Sequence, residues 1–62
     1  MAIIYDIQNS GAERFANYVK ELQLKNKCLG VDVKDHHTEF YFDNLNDKDD
    51  AILSKCATVC NK

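Results

Sequence analysis

The stretch Thr-Glu-Phe-Tyr-Phe-Asp-Asn, residues 38–44, is the densest aromatic run of the chain, and its polarity alternates from one residue to the next. Side chains of an extended strand point to opposite faces in turn, so the phenylalanines would share one face and the tyrosine would lie on the other. We predict that this run is the central strand of a small sheet, with Phe40 and Phe42 facing the core. The two predicted faces are Thr38, Phe40 and Phe42 on one side, and Glu39, Tyr41 and Asp43 on the other.

Two other stretches alternate in the same manner and are predicted to be strands. Residues 2–8 and residues 28–35 carry branched or aromatic apolar side chains at every second position, which is typical of a strand with one buried face. A polar segment of residues 35–37 joins the second stretch to the central strand, and so short a connection predicts an antiparallel hairpin. The apolar positions are Ile3, Tyr5 and Ile7 in the first stretch, and Leu29, Val31 and Val33 in the second.

Two stretches repeat apolar residues every three or four positions, which predicts amphipathic helices. The first follows Ser10, whose spacing to Glu13 matches a capping box. We expect Leu24 to be its last packing contact and Asn26 to take the left-handed position that ends it. The second begins in the acidic run of residues 43–50, where carboxylates favour a helix start. The apolar stripes are Ala12, Phe15, Ala16, Val19 and Leu22 in the first helix, and Ile52, Leu53, Cys56, Val59 and Cys60 in the second.

The predicted order of elements is therefore β-α-β-β-α, and the fold class is α+β. We expect residues 1–62 to form one small two-layer domain, with a three-stranded, mostly antiparallel sheet and both helices on one face. The third strand would lie in the middle, antiparallel to its neighbours, as in a ferredoxin-like unit that lacks its last strand. The alternative topology places the second strand in the middle, parallel to the first.

Composition narrows the classes of function. The chain has 62 residues, of which 45% are apolar and 29% are charged, and its net charge is −2. A domain of this length buries only about 60% of the surface of its unfolded chain, which leaves little room for a deep cleft. Interspersed charges with an acidic balance argue against direct nucleic-acid binding. The apolar run at the N-terminus is too short for a signal peptide or a membrane span, so we expect a soluble, cytoplasmic protein.

The residues that most often carry chemistry form no familiar motif. Cys56 and Cys60 lie within the apolar stripe of the second helix, and with Cys28 they make an odd number, so we expect reduced thiols that serve packing. His36 and His37 fall in the hairpin turn and are expected to be exposed. No spacing matches a zinc or calcium site. We therefore expect no catalysis, no cofactor and no metal.

The sheet face away from the helices is the first candidate site. It is either an ordinary solvated face or a docking surface with an aromatic centre and an acidic rim. A second candidate is the acidic start of the second helix, at Asp47 and Asp49, which is otherwise explained by helix capping. The residues expected on the uncovered face are Ile4, Asp6, Asp32, Lys34, Glu39, Tyr41 and Asp43.

The function expected from these features is a non-enzymatic protein-binding module whose partner has a basic surface. Small acidic α/β domains of this kind include phage inhibitors of host defence, such as anti-CRISPR and anti-restriction proteins, so that class is a hypothesis by analogy. The alternative is a structural or regulatory domain that forms a homodimer through its open sheet face or an edge strand. A thiol- or metal-dependent activity through Cys56 and Cys60 is a third hypothesis.

Overall fold

The computed structural model describes residues 2–62, which form three strands and two α-helices. A short 3-10 helix, Lys25–Lys27, precedes the second strand. Neither α-helix within residues 2–62 has the length and apolar character that crossing a bilayer requires. The elements are β1 (Ala2–Gln8), α1 (Asn9–Glu21), β2 (Cys28–Val33), β3 (His37–Asp43) and α2 (Asp47–Cys60).

The strands form one sheet in the order β1-β3-β2, and β3 is antiparallel to both neighbours. The predicted central position of the aromatic strand is confirmed, and the alternative with β2 in the middle is wrong. In the register, Tyr41 lies opposite Ile4 of β1 and Gly30 of β2. Because paired residues of antiparallel strands share a face, this register also fixes which side chains lie together on each side of the sheet.

The core lies between the helices and the β1–β3 half of the sheet. Phe40 is 4% exposed and Phe42 is fully buried, as their alternation predicts. The aromatic rings pack at angles, with 4.7 Å between the ring centres of Phe15 and Phe40 and 5.6 Å between those of Tyr5 and Phe42. Such tilted and edge-on pairs add to the stabilisation from area burial. The buried apolar residues are Tyr5, Ile7, Phe15, Val19, Leu24, Phe40, Phe42, Leu53 and Cys60.

The valine side chains of strand β2 lie outside this core, contrary to the prediction. Val31 is 52% exposed and Val33 is 72% exposed. The reason is that α1 packs on β1 and β3 while α2 packs on β1, so the helical layer is displaced away from β2. The expectation that every strand buries an apolar face against the helices is therefore wrong for β2.

The start of α1 also differs from the prediction. The helix begins at Asn9, directly after β1, and its N-cap residue Gln8 makes no side-chain capping bond. Ser10 consequently lies inside the helix, where its predicted capping box with Glu13 does not form. The connection is fixed instead by Asn9, whose Nδ2 donates to the carbonyl of Lys34 at 2.9 Å and whose Oδ1 accepts from the Thr38 hydroxyl at 2.7 Å.

The end of α1 is formed by Gln23, not by Asn26 as predicted. Gln23 has φ 60°, the left-handed conformation that often ends a helix. Its N–H donates to the carbonyl of Lys20 at 3.1 Å, and the N–H of Leu24 donates to that of Val19 at 3.0 Å. These bonds turn the chain so that Leu24 is buried, which confirms it as the last packing contact of the helix.

Gly11 of α1 lies against the backbone of Cys60 in α2. A Cβ atom at this position would lie 2.1 Å from the carbonyl oxygen of Cys60, so any side chain would collide with the backbone of α2. At the other end of α2, the Asn46 side chain accepts from the N–H of Asp49 at 2.8 Å and caps the helix.

Candidate functional site

The sheet face opposite the helices is organised in cross-strand rows, and we call it the open face. Its residues alternate with the core residues along β1 and β3. One row crosses the sheet at Tyr41, a second at Glu39 and a third at His37. The rows are Ile4–Tyr41–Gly30, Asp6–Glu39–Asp32 and Gln8–His37, in the order β1, β3 and, where paired, β2.

The row through Tyr41 is apolar, and it includes a residue that sequence reasoning placed on the other face. A bulge between Cys28 and Gly30 leaves Leu29 without a partner in β3. Leu29, 65% exposed, lines a shallow depression together with Tyr41. On the other side of Tyr41, Ile4 is 53% exposed. We call Ile4, Tyr41 and Leu29 the apolar row.

The only sequence signal for this arrangement is Gly30. A glycine inside a strand often marks a bulge, and an extra residue changes the phase of alternation. Simple alternation across residues 28–35 therefore grouped Leu29 with Val31 and Val33, whereas the register pairs Val31 with Phe40 on the helix side.

The orientation of Tyr41 is fixed by its neighbour on the same strand. Its hydroxyl donates to Oε1 of Glu39 at 2.7 Å. This hydrogen bond, together with partial burial and the charge of Glu39, raises the pKa of Tyr41 above its ordinary value. The ring is thereby held along the strand as a half-buried, uncharged aromatic surface.

The next row brings three carboxylates together, and we call Asp6, Glu39 and Asp32 the acidic row. Glu39 lies directly opposite Asp6 on one side and Asp32 on the other. Like charges at directly opposed positions of a sheet are destabilising. The row is therefore unfavourable for folding in itself, and it concentrates negative charge beside the apolar row.

Two basic side chains partly offset this charge. Lys34 Nζ lies 3.1 Å from Asp32 Oδ2, and this hydrogen-bonded pair raises the pKa of Lys34. His37 Nε2 lies 3.5 Å from Asp6 Oδ1 and 3.9 Å from Glu39 Oε2. His37 thus lies within ion-pair distance of two of the three carboxylates.

The same groups could also coordinate a cation. Among residues 2–62, Asp6, His37 and Glu39 each offer one ligand atom, and these atoms lie within 4.8 Å of one another. Imidazole and carboxylate ligands suit zinc and other divalent ions. Sequence reasoning missed this trio because it considered His37 only with the cysteines, although Glu39 follows His37 by two residues and so shares its face.

The remaining predicted site residues lie elsewhere. Asp43 belongs to the open face but lies at its far end, opposite Ala2. Asp47 and Asp49 belong to the first turn of α2, which packs on the opposite side of the sheet. Asp47 is exposed, whereas Oδ2 of Asp49 lies 3.7 Å from Nζ of Lys27. The structure thus separates the two predicted acidic sites.

The three thiols are free, and none lies on the open face with the acidic row. Cys60 is buried, whereas Cys28 and Cys56 are half-buried. Burial raises the pKa of both Cys56 and Cys60, which disfavours the reactive thiolate. Their surroundings are those of packing residues.

Comparison with known proteins gives no template for this face. The chain matches no protein-family model, no curated protein and no solved structure. Function must therefore be inferred from the side chains themselves. The open face offers an exposed apolar row, an acidic row parallel to it, and two basic groups at one end.

Proposed function

We propose that this protein is a non-enzymatic binding module whose open face docks on a basic surface of another protein. The observation that carries the proposal is the parallel arrangement of the apolar row and the acidic row. Ile4 and Leu29 are both more than half exposed on either side of Tyr41. A half-buried tyrosine between exposed aliphatic side chains, next to charge, has the composition of a binding hot spot and its polar rim.

The two rows would have different tasks. Burial of the apolar row under a partner would supply affinity, since tyrosine is among the residues that most often dominate interface energetics. The acidic row would mainly set orientation and association rate. A partner of matching chemistry presents an arginine or lysine beside an apolar side chain.

The acidic row supports this assignment because its three carboxylates lie side by side and Lys34 offsets their charge only in part. Asp6 and Asp32 both oppose Glu39 across the sheet, and such pairs are destabilising in the free protein. An arginine placed over Glu39 would relieve that repulsion. Binding would then be favoured by groups that are unfavourable before the complex forms.

A basic docking surface is common on proteins that bind nucleic acids. An acidic module that occupies such a surface would act as an inhibitor. Host-defence nucleases, the targets of anti-CRISPR and anti-restriction proteins, are therefore the partners to test first, and this step rests on class analogy.

The experiment is a parallel affinity purification from the cells that encode the chain. Tagged wild type, Tyr41→Ala and Glu39→Lys would be compared, with Val59→Ala, an exposed α2 position, as the matched control. Proteins that bind the open face should be retained by wild type and Val59→Ala. Tyr41→Ala should no longer retain them, because the substitution should weaken the free energy of binding by more than about 1 kcal/mol. Circular dichroism would confirm that each variant is folded.

The same experiment distinguishes the second acidic site. Asp47→Lys changes an exposed carboxylate at the start of α2, and Asp49→Lys breaks the pair with Lys27. A partner that is retained by Tyr41→Ala but lost with these two variants would move the site to the helix. Undiminished binding by both Tyr41→Ala and Glu39→Lys would contradict the proposal.

A further inference from the structure

The outer edge of β1 is blocked by the end of α2. Asn61, which follows the helix, accepts from the N–H of Gln8 through its Oδ1 at 2.7 Å. Its Nδ2 donates to the carbonyl of Asp6 at 2.9 Å. These bonds occupy backbone groups that could otherwise pair with a strand of another molecule, a common protection of sheet edges.

The outer edge of β2 has no such protection. Asp6 and Gln8 direct their backbone N–H and C=O groups away from β3, toward Asn61. In an antiparallel sheet the direction of these groups alternates along each strand, so the backbone groups of Glu39 and Tyr41 in β3 point toward β2. The backbone groups of their partners, Asp32 and Gly30, point back toward β3. The backbone N–H and C=O groups of Val31 and Val33 therefore point outward, along the free edge of β2. Within residues 2–62, the side chain that hydrogen-bonds to a backbone group of β2 is that of Cys28. Its Sγ atom donates to the carbonyl oxygen of Gly30 at 3.6 Å.

The helix-side face of β2 is also apolar and uncovered. Val31 and Val33 are 52% and 72% exposed there. Between β2 and α1 lies a groove of about 300 Å³, with Val19, Cys28 and Phe40 among its lining residues. An open edge and an exposed apolar face on the same strand are the two features that strand pairing between molecules requires.

We propose that β2 pairs with β2 of a second copy of this chain, which joins the two sheets into one of six strands. An antiparallel edge is self-complementary under a two-fold axis, so one strand can supply both halves of the contact. The inference is independent of partner binding by the open face.

The register follows from faces and charges. In residues 30–33, which follow the bulge and alternate regularly, the apolar faces match when the residue numbers of paired residues have an even sum. Pairing centred on Asp32 would oppose two copies of that carboxylate, and such like-charge pairs are destabilising. Pairing centred on Val33 would leave only the last residues of β2 in contact. Pairing centred on Val31 opposes Val31 with itself and Asp32 with Gly30, so no two carboxylates face each other.

Charge also favours a second copy as the occupant. Asp32 is the one charged residue of β2, Cys28–Val33, and in the register centred on Val31 it lies opposite Gly30 of the other copy and not opposite another carboxylate. The Val31 side chains of the two copies meet at the two-fold axis, and each is 52% exposed in the single chain.

This dimer would place both open faces on the same side of the joined sheet, because the two-fold axis is perpendicular to the sheet. A partner with two basic sites, or two partners side by side, could then be bound by two apolar rows at once. Linking two sites in this way raises overall affinity without any new contact.

The first test is the oligomeric state, measured by sedimentation velocity over a range of concentrations. Wild type should show reversible dimerisation, which Val31→Lys should weaken by at least about tenfold, 1.4 kcal/mol. The matched control is Ile4→Lys, since Ile4 is 53% exposed but lies on the open face. A wild type that stays monomeric up to about 1 mM would overturn the proposal. Equal weakening by Ile4→Lys would overturn it as well.

The second test is a cross-link at the proposed two-fold axis. Hydrogen-bonded antiparallel partners have Cα atoms about 5.5 Å apart, which is within reach of a disulfide. Val31→Cys in a Cys28→Ser background should therefore form a covalent dimer under mild oxidation. Val33→Cys in the same background is the control, because Val33 does not face itself. Cross-linking of Val33→Cys in preference to Val31→Cys would contradict the register.

Discussion

The two halves of the sheet have the same sequence pattern and opposite environments. In β3, alternate residues Phe40 and Phe42 are almost fully buried beneath the helices. In β2, alternate residues Val31 and Val33 are more than half exposed on the same side of the sheet. The difference teaches that alternation identifies a strand and its faces, whereas burial depends on where the helices lie. Stability should reside in the β1–β3 half, and the apolar surface of β2 should be available for association.

The largest expected difference between the halves is in truncation of core side chains. Phe42→Ala should lower the free energy of unfolding by about 3–5 kcal/mol, because a fully buried ring is lost and a cavity remains. Val33→Ala should change it by less than about 0.5 kcal/mol. Urea unfolding of dilute protein measures both. Similar losses for the two variants would show that β2 belongs to the core.

The two glycines provide a second contrast, of intermediate size. Gly11→Ala should cost about 1–3 kcal/mol or more, since the new methyl group would collide with the Cys60 carbonyl. Gly30→Ala, with nothing within 4 Å of the added Cβ, should be neutral or slightly stabilising. Thermal unfolding of the pair checks this. A stable Gly11→Ala variant would mean that α1 and α2 are farther apart than described.

The two hydrogen-bonded tyrosines should differ less. Tyr5 is 7% exposed as a residue and its hydroxyl donates to the Asp50 carboxylate, so Tyr5→Phe should cost about 1–2 kcal/mol. Tyr41→Phe removes a bond to Glu39 on the open face, where water can replace it, and should have a smaller effect. Chemical unfolding at neutral pH would compare the two variants. A larger loss for Tyr41→Phe would reverse the assignment of core and surface.

Alkaline pH should give the smallest and most specific difference. Burial and the hydrogen bond to Asp50 raise the pKa of Tyr5 above its ordinary value of 10.0. The folded form therefore keeps its proton where the unfolded chain loses it. The stability contributed by Tyr5 is present below pH 10 and is lost progressively as the pH rises above it. Tyr5→Phe should thus lose less stability than wild type between about pH 9 and 11, as measured by urea unfolding. If the free energy of unfolding fell equally steeply with pH in both proteins, the raised pKa of Tyr5 would be contradicted.

Much of the fold could be predicted because its signals are local. The strand bounds at residues 2–8, the central aromatic strand and the two helices all follow from periodicity, and each element is confirmed. The predicted apolar stripes are confirmed only in part, because Ala16, Leu22 and Val59 are exposed. The sheet order followed from the short hairpin and the need to place both helices on one face. The capping box at Ser10 was wrong because Gln8 ends β1 and starts α1 with no loop between them.

The candidate site was only partly predictable. Placement of Tyr41 and Glu39 on the open face needs nothing beyond alternation. Leu29 could not be placed because its side depends on a bulge, and the alignment of Asp6, Glu39 and Asp32 in one row depends on register. The blocked edge of β1 depends on Asn61, whose contact with that strand spans most of the chain. These features arise from tertiary structure, which periodicity does not encode.

The most direct test of the central claim, that the open face binds a protein partner, is site-specific photocross-linking in the cells that encode the chain. A benzophenone amino acid would replace Ile4 on the open face, Val31 on the β2 edge or Val59 on α2, all partly exposed. The products would be identified by mass spectrometry after irradiation. We predict a covalent adduct with a foreign protein from position 4, a homodimer from position 31 and neither from position 59. No foreign adduct from position 4, or the same adduct from position 59, would contradict the account.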